Sequence, residues 1–249
     1  MPPAVTFTNV SKRFLLRRDR PQSLQEFVIG LAKGRRGGVE EFWALKGVDF
    51  EVQAGETFGI IGPNGAGKST ALGLMAGTIR PTGGQVFVDG RISPLLELGA
   101  GFHPDLTGTE NVYLNAALFG LSRSETDARL QDIVEFSELY DFIDVPLKHY
   151  STGMYARLGF AVAVHVDAAI LLVDEVLAVG DEAFQRKCLA KMEEFQNEGH
   201  TIIFVSHSLP IVLKLCDRAL WLDHGRAQAT GATEQVVGQY LEAVGANAR

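Results

Sequence analysis

Cysteine is nearly absent: 249 residues contain two, Cys188 and Cys216, far apart and without a CxxC pair or metal-like spacing. That excludes a disulfide framework or a cysteine-built metal centre and reads as two reduced core residues of a cytosolic protein. Long apolar runs are missing too. The longest, residues 160–173, is broken by His165 and Asp167 and is shorter than the roughly 20 apolar residues a membrane-spanning helix needs, so any membrane association must be peripheral. The opening MPPAVTFTNV has neither a charged n-region nor an apolar h-region and does not read as a secretory signal. Positive charge is not in excess either. There are 23 basic and 30 acidic residues, net -7, which argues against binding nucleic acid through its phosphates. The sequence shows no internal repeat, low-complexity tract or coiled-coil insertion.

The composition is that of a globular protein, 46% apolar, large enough for one sizeable domain or two small ones. AVTFTNVSKRF alternates like a strand, and FWALKGVDFEV reads as its continuation after an interruption. The interruption is basic: residues 11–36 hold Lys12, Arg13, Arg17, Arg18, Arg20, Lys33, Arg35 and Arg36 against Asp19 and Glu26. Within it Leu24, Phe27, Val28 and Leu31 fall on one helical face, Ser23 and Glu26 form a capping-box pattern, and Gly37-Gly38 follows. This predicts an inserted amphipathic helix over about 23–33, either a surface helix packed on its own domain or a docking element at a membrane face. Buried strands (ETFGIIG, AAILLVDEV, TIIFVSHS) then alternate with helices (KSTALGLMAG, DEAFQRKCLAKMEEFQNEG), and helical periodicity fills residues 108–140 and beyond, through SETDARLQDIVEFSELYDFI. The pattern predicts an α/β fold, a largely parallel sheet covered on both faces, with a helical subdomain over 108–165.

Three elements carry chemistry. GPNGAGKST, that is Gly62, Pro63, Asn64, Gly65, Ala66, Gly67, Lys68, Ser69 and Thr70, satisfies the phosphate-loop pattern between a strand and a helix. Its glycines let backbone N–H groups converge on phosphates at a helix N-terminus, Lys68 is expected to reach the β- and γ-phosphates and Ser69 to hold Mg²⁺. ILLVDE ends a buried strand with Asp174, a metal candidate, and Glu175, the candidate for orienting or deprotonating an attacking water. IIFVSHS places His207 at the carboxyl end of another apolar strand, where open α/β sheets bind ligands, so His207 is the candidate for contacting the γ-phosphate or polarising the water.

In this order the motifs resemble the nucleotide-binding subunits of ATP-binding cassette (ABC) transporters over nearly the whole chain. The resemblance implies a P-loop NTPase fold with an N-terminal antiparallel β-subdomain, forming one domain in which 1–107 and 166–249 are the catalytic core and 108–165 the helical subdomain. YSTGM, residues 150–154, lies where the family carries LSGGQ. Ser151 and Gly153 match, while Tyr150, Thr152 and Met154 depart. The family implies that this loop caps ATP held by a second copy of the protein, and that AVGD, ending in Asp181, couples the two sites. No glutamine stands between the sheet and the helical subdomain. His103 in LLELGAGFHPDLTGTENV is the nearest equivalent for sensing the metal, with Glu97 as an outside alternative. For the aromatic that stacks on adenine, Phe14 matches by position and Trp43 is a substitute.

ELGAGFHPDLTG, YSTGM, DEVLAVGDEAFQRKC and the basic insert together resemble the Wzt-like ATPases that export O-antigen, teichoic acid and similar glycans. That implies an Mg²⁺-dependent ATPase working as a homodimer with a multispanning permease, a glycan cargo and no nucleic acid, at the cytoplasmic face of the bacterial cell membrane. Some members add a C-terminal carbohydrate-binding domain. This sequence ends after ATEQVVGQYLEAVGANAR, so it is either a form without that domain or a shortened chain. The alternatives are the ATPase of another transporter, a soluble ABC ATPase acting on nucleic acid or ribosomes, a P-loop kinase, or a permease regulator without turnover.

Overall fold

The computed structural model describes residues 2–17, 39–95, 99–174, 180–206 and 208–247. Two long strands, β1 (Pro3–Arg17) and β2 (Val39–Gln53), pair antiparallel, and β4 (Gly83–Val88) joins the other edge of β1. The alternation expected of AVTFTNVSKRF and FWALKGVDFEV is present. The second segment, however, does not continue the first: the chain folds back, setting Phe7 opposite Phe50 and Val10 opposite Val48. The inserted helix expected over 23–33 lies outside the described residues.

The second sheet has six strands in the order β5-β6-β7-β3-β8-β9. β3 (Thr57–Ile61), β5 (Ile92–Leu95), β6 (Ile170–Asp174), β7 (Thr201–Val205) and β8 (Arg218–Asp223) run parallel, and β9 (Arg226–Ala232) closes one edge antiparallel. Its helices are α1 (Lys68–Met75), α5 (Glu182–Asn197), α6 (Leu209–Leu215) and α7 (Thr233–Asn247), while α2 (Gly108–Leu118), α3 (Arg123–Ser137) and α4 (Thr152–Val164) form the helical region.

Alternate side chains of the central strands sort onto two faces. Phe58, Ile60, Leu172, Ile203 and Leu220 pack with α1 and with Val5, Phe7 and Phe50 of the antiparallel sheet. Ile61, Leu171, Val173 and Phe204 meet Phe184, Cys188, Met192 and Phe195 of α5. Burial on both faces is why ILLV and TIIFV read as continuous apolar runs. Each such side chain contributes about 1.5–3 kcal/mol on leaving water. Cys188 and Cys216 are buried, and burial pushes both thiols up to about 12, so neither is a thiolate at neutral pH.

A third core, with Val112, Ile133, Leu139, Leu147, Leu158 and Val162, holds α2, α3 and α4 together. The helical periodicity running through SETDARLQDIVEFSELYDFI ends early, at Ser137. Glu138 takes a left-handed conformation, φ 59° and ψ 33°, which costs a non-glycine residue about 1 kcal/mol. It turns Leu139 into the core, and two cations described below hold its carboxylate. Among the described residues no helix is long and apolar enough to cross a membrane.

Candidate functional site

The phosphate loop links β3 to α1 at the carboxyl edge of the parallel strands. Its bends need glycine. Gly62 has φ +145° and a Cβ there would sit 2.0 Å from the Leu222 carbonyl oxygen; at Gly67, φ +108°, a Cβ would sit 2.5 Å from the Ala44 oxygen. The turn between β8 and β9 supports the loop from below: Gly225 N–H donates to the Ala66 carbonyl at 3.0 Å, and the Gly225 carbonyl accepts from Lys46 N–H at 2.7 Å. Lys68 is 7% exposed. Its Nζ donates to the carbonyls of Gly62 at 2.8 Å and Pro63 at 3.0 Å, across the loop's own entrance.

Most of the helix starts are closed by a side-chain cap, and that of α1 is not. Thr107, Ser122, Ser151 and Asp181 cap α2, α3, α4 and α5 with a side-chain oxygen. α1 starts at Gly67 with no side-chain cap and no acidic residue in its first turn, as does the shorter α6 at Ser208; what sets α1 apart is the glycine loop before it. The first-turn N–H groups of α1 therefore need an acceptor from outside the helix. Gly65, φ +78°, has open space where a Cβ would project. Pro63, Asn64, Gly65 and Ser69 are exposed, Thr70 half-buried and Ala66 buried. The N–H groups of this loop and of the first turn of α1, Pro63 excepted, fit a nucleotide's phosphates together with Lys68.

β6 and β7 bring the chain to the same edge, with Asp174 opposite Val205. Asp174 is half-buried there. β7 pairs with β3, so the strand ending in Asp174 is one strand removed from the phosphate loop. Glu175 and His207 lie outside the described residues, as do Ala178 and Glu97.

Ser151 is exposed and its Oγ accepts from Met154 N–H at 3.2 Å, with Gly153 inside the first turn of α4. Asp181 caps α5, its Oδ1 accepting from Phe184 N–H at 2.9 Å. That amide, more than the neighbouring Arg157, holds the Asp181 carboxyl below its ordinary range. Phe14 lies opposite Phe42 and is half-buried beside Lys12, and Arg13 lies opposite Trp43. Trp43, 37% exposed, directly precedes Ala44, the residue whose carbonyl closes on Gly67. Trp43 is therefore the candidate aromatic adjoining the loop.

His103, the third metal candidate, is exposed and tied into its own loop. Its Nδ1 accepts from Asp105 N–H at 3.3 Å, and its own N–H donates to Asn111 Oδ1 at 2.7 Å. Among the described residues these contacts are all with its own loop and α2, so His103 forms a turn there; Ser69, Asp174 and His103 remain the metal candidates. Asn111 escaped the sequence reading. Fully buried, it also donates from Nδ2 to the carbonyls of His103, Leu106 and Thr107 at 3.1, 3.0 and 2.9 Å. One turn on, buried Asn115 donates to the Ala100 carbonyl at 2.8 Å. The visible signal was two amides at i, i+4 on an otherwise apolar helix face. An Asn111→Ala variant, which takes the acceptor from the His103 N–H and leaves each of the three carbonyls with a backbone donor only, is expected to lose about 2 kcal/mol of stability, seen as a lower urea midpoint at unchanged slope; an unchanged midpoint would deny Asn111 this role.

Comparison with known proteins follows the same lines. The ABC transporter family model matches residues 45–178. The O-antigen export system ATP-binding protein RfbB of Klebsiella pneumoniae is 46% identical over 250 residues, covering 98% of this chain and 100% of that protein. The teichoic acids export ATP-binding protein TagH of Levilactobacillus brevis is 46% identical over 234 residues, 94% of this chain and 63% of that protein. The fold is that of a solved ATP-binding cassette, MJ0796, in a dimeric post-hydrolysis state bound to ADP and Pi: TM-score 0.72 at 22% identity, over 92% of this chain and 98% of that one.

Proposed function

We propose that this chain, which belongs to the ABC transporter family, is the ATP-hydrolysing subunit of an exporter that moves a lipid-linked polysaccharide of the O-antigen or teichoic acid kind. The observation that carries this reading is the end-to-end similarity to the Klebsiella export ATPase, laid over a phosphate loop whose helix start is left uncapped.

In this reading Lys68 and the α1 N-terminus hold the β- and γ-phosphates, and Ser69 and Asp174 hold Mg²⁺. The bound metal supplies charge neutralisation on the phosphate oxygens. Glu175 orients a water and accepts its proton as the water oxygen bonds to the γ-phosphorus and the bond to ADP's β-phosphate oxygen breaks. His207 contacts the γ-phosphate. Ser151 and Gly153 serve the nucleotide held by a second copy, so two copies enclose two nucleotides, with Asp181 beside the junction. Trp43 is the stacking aromatic in preference to Phe14, being next to the loop. The dimer drives a multispanning permease from the cytoplasmic face of the membrane.

The test is purification from membranes: the chain is expected to come with a multispanning permease as a complex that hydrolyses ATP only with Mg²⁺ present. A complex that binds ATP without releasing phosphate would instead make the chain a regulator. Residues 23–33 are assigned to the permease's cytoplasmic entrance on their apolar face and basic flanks. Charge reversal at Arg35 and Arg36, or Phe27→Asp, is expected to reduce glycan export at least about tenfold, a coupling loss of ordinary size, with the isolated chain's ATPase unchanged. Normal export in these variants would remove the assignment.

A further inference from the structure

Less than two turns past Ser151, α4 carries a guanidinium that the nucleotide chemistry leaves unused. Arg157, its side chain 19% exposed, donates from Nη2 to Asp181 Oδ2 at 2.6 Å and from Nη1 to Glu138 Oε2 at 3.1 Å. Its centre lies 4.9 Å from the centroid of the Phe184 ring. A Cβ on Gly180 would come within 3.3 Å of Arg157 Nε, and Gly180 has φ +71°. The second oxygen of Glu138 accepts from Lys187 Nζ at 3.1 Å, and the same ammonium donates to the Phe136 carbonyl at 2.9 Å.

Two helix ends therefore converge on one α4 side chain: the left-handed stop of α3 and the capped start of α5. Ser151, Gly153, Arg157, Gly180 and Asp181 also line a single open cleft of about 570 Å³. Arg157 lines this cleft from α4, the helix that Ser151 caps, and reaches Asp181 on the cleft's other element. The contact needs arginine. Two nitrogens of a planar fork reach two carboxylates on different elements at once, which a lysine's point charge does not do.

We propose that Arg157 is a positioning residue that ties the 180–181 loop to α4, the helix opening at the YSTGM loop (residues 150–154), so that closure on nucleotide at Ser151 is passed to Asp181 and α5. In the dimer this links one site to the other. The inference rests on the two-nucleotide reading given under Proposed function. Glu138 and Lys187 brace the link from the α3 side, and Arg157 touches no substrate.

The test is ATP turnover against ATP concentration in the permease complex, with thermal unfolding measured in parallel. Arg157→Ala is expected to lower kcat by about 30-fold, in the usual range of coupling between sites, to leave half-saturating ATP within about threefold and to reduce the Hill coefficient to one. Arg157→Lys should recover most of the unfolding temperature without recovering kcat. Glu138→Gln, which cuts only the α3 arm, should lower the unfolding temperature and keep the Hill coefficient of the wild type. If Arg157→Ala unfolds at a lower temperature yet each folded complex keeps wild-type kcat and Hill coefficient, Arg157 is a strut and the inference fails. A wild-type complex with no ATP turnover overturns the export reading and the inference with it; normal turnover in both wild type and Arg157→Ala overturns the inference alone.

Discussion

A Glu175→Gln variant is expected to hydrolyse ATP slower by about two to four orders of magnitude, while nucleotide affinity stays near that of the wild type. The amide keeps the shape of the side chain and loses the ability to take a proton. Position 175 follows Asp174, which ends β6 at the carboxyl edge that β3 also reaches on its way into the phosphate loop. Phosphate release in steady state reads the loss, and equilibrium binding of a fluorescent ATP analogue reads what is kept. Because hydrolysis reopens the proposed dimer, the variant should also accumulate as an ATP-dependent dimer in light scattering. Hydrolysis at the wild-type rate would take the base role away from Glu175.

The second large effect is on binding. Lys68→Met preserves the buried stem and removes an ammonium that is now shared between the carbonyls of Gly62 and Pro63. A hydrogen bond to a charged group contributes about 1.5–3 kcal/mol, so losing two such bonds to phosphate oxygens weakens binding by about 3–6 kcal/mol, or roughly 10²–10⁴ in Kd. Calorimetric titration with ATP measures the loss, and an unchanged circular dichroism spectrum shows that the fold is intact. Wild-type affinity in this variant would move the phosphates away from the loop.

Legibility in the sequence followed the range of the interactions. The phosphate loop was readable because strand, glycine spacing and lysine lie within a dozen residues, and the local chemistry determines the bend. The buried strands were readable because both their faces are covered. The end of α3 was not: nothing in SELYDFI breaks a helix, and the stop at Glu138 depends on Arg157 and Lys187 from elements far along the chain. β5 escaped because ISPL contains Pro94, which a strand tolerates at a sheet edge, and β5 is that edge. The β8–β9 hairpin was missed because its two-residue turn uses His224 at φ 45° with Gly225 at φ 76°, where asparagine or aspartate is the usual cue. The turn-forming role of His103 depended on Asn111, a buried partner that no motif announces.

The antiparallel pairing of β1 and β2 runs past the core. Val5, Phe7, Val10, Leu45, Val48 and Phe50 pack inward, whereas from Phe14 opposite Phe42 to Arg17 opposite Val39 the ribbon continues with Leu15, Glu41 and Phe42 exposed. Residues 18–38 are thus attached at two adjacent points at the end of a stalk. Such a stalk is a ruler with discrete marks. Inserting one residue in each strand would turn the attachment to the opposite face, and inserting two would keep the face and advance it by about 7 Å. The distance between the ATPase body and whatever that segment touches can then change in steps, by insertion or deletion in one ribbon, without disturbing a single residue around the phosphate loop.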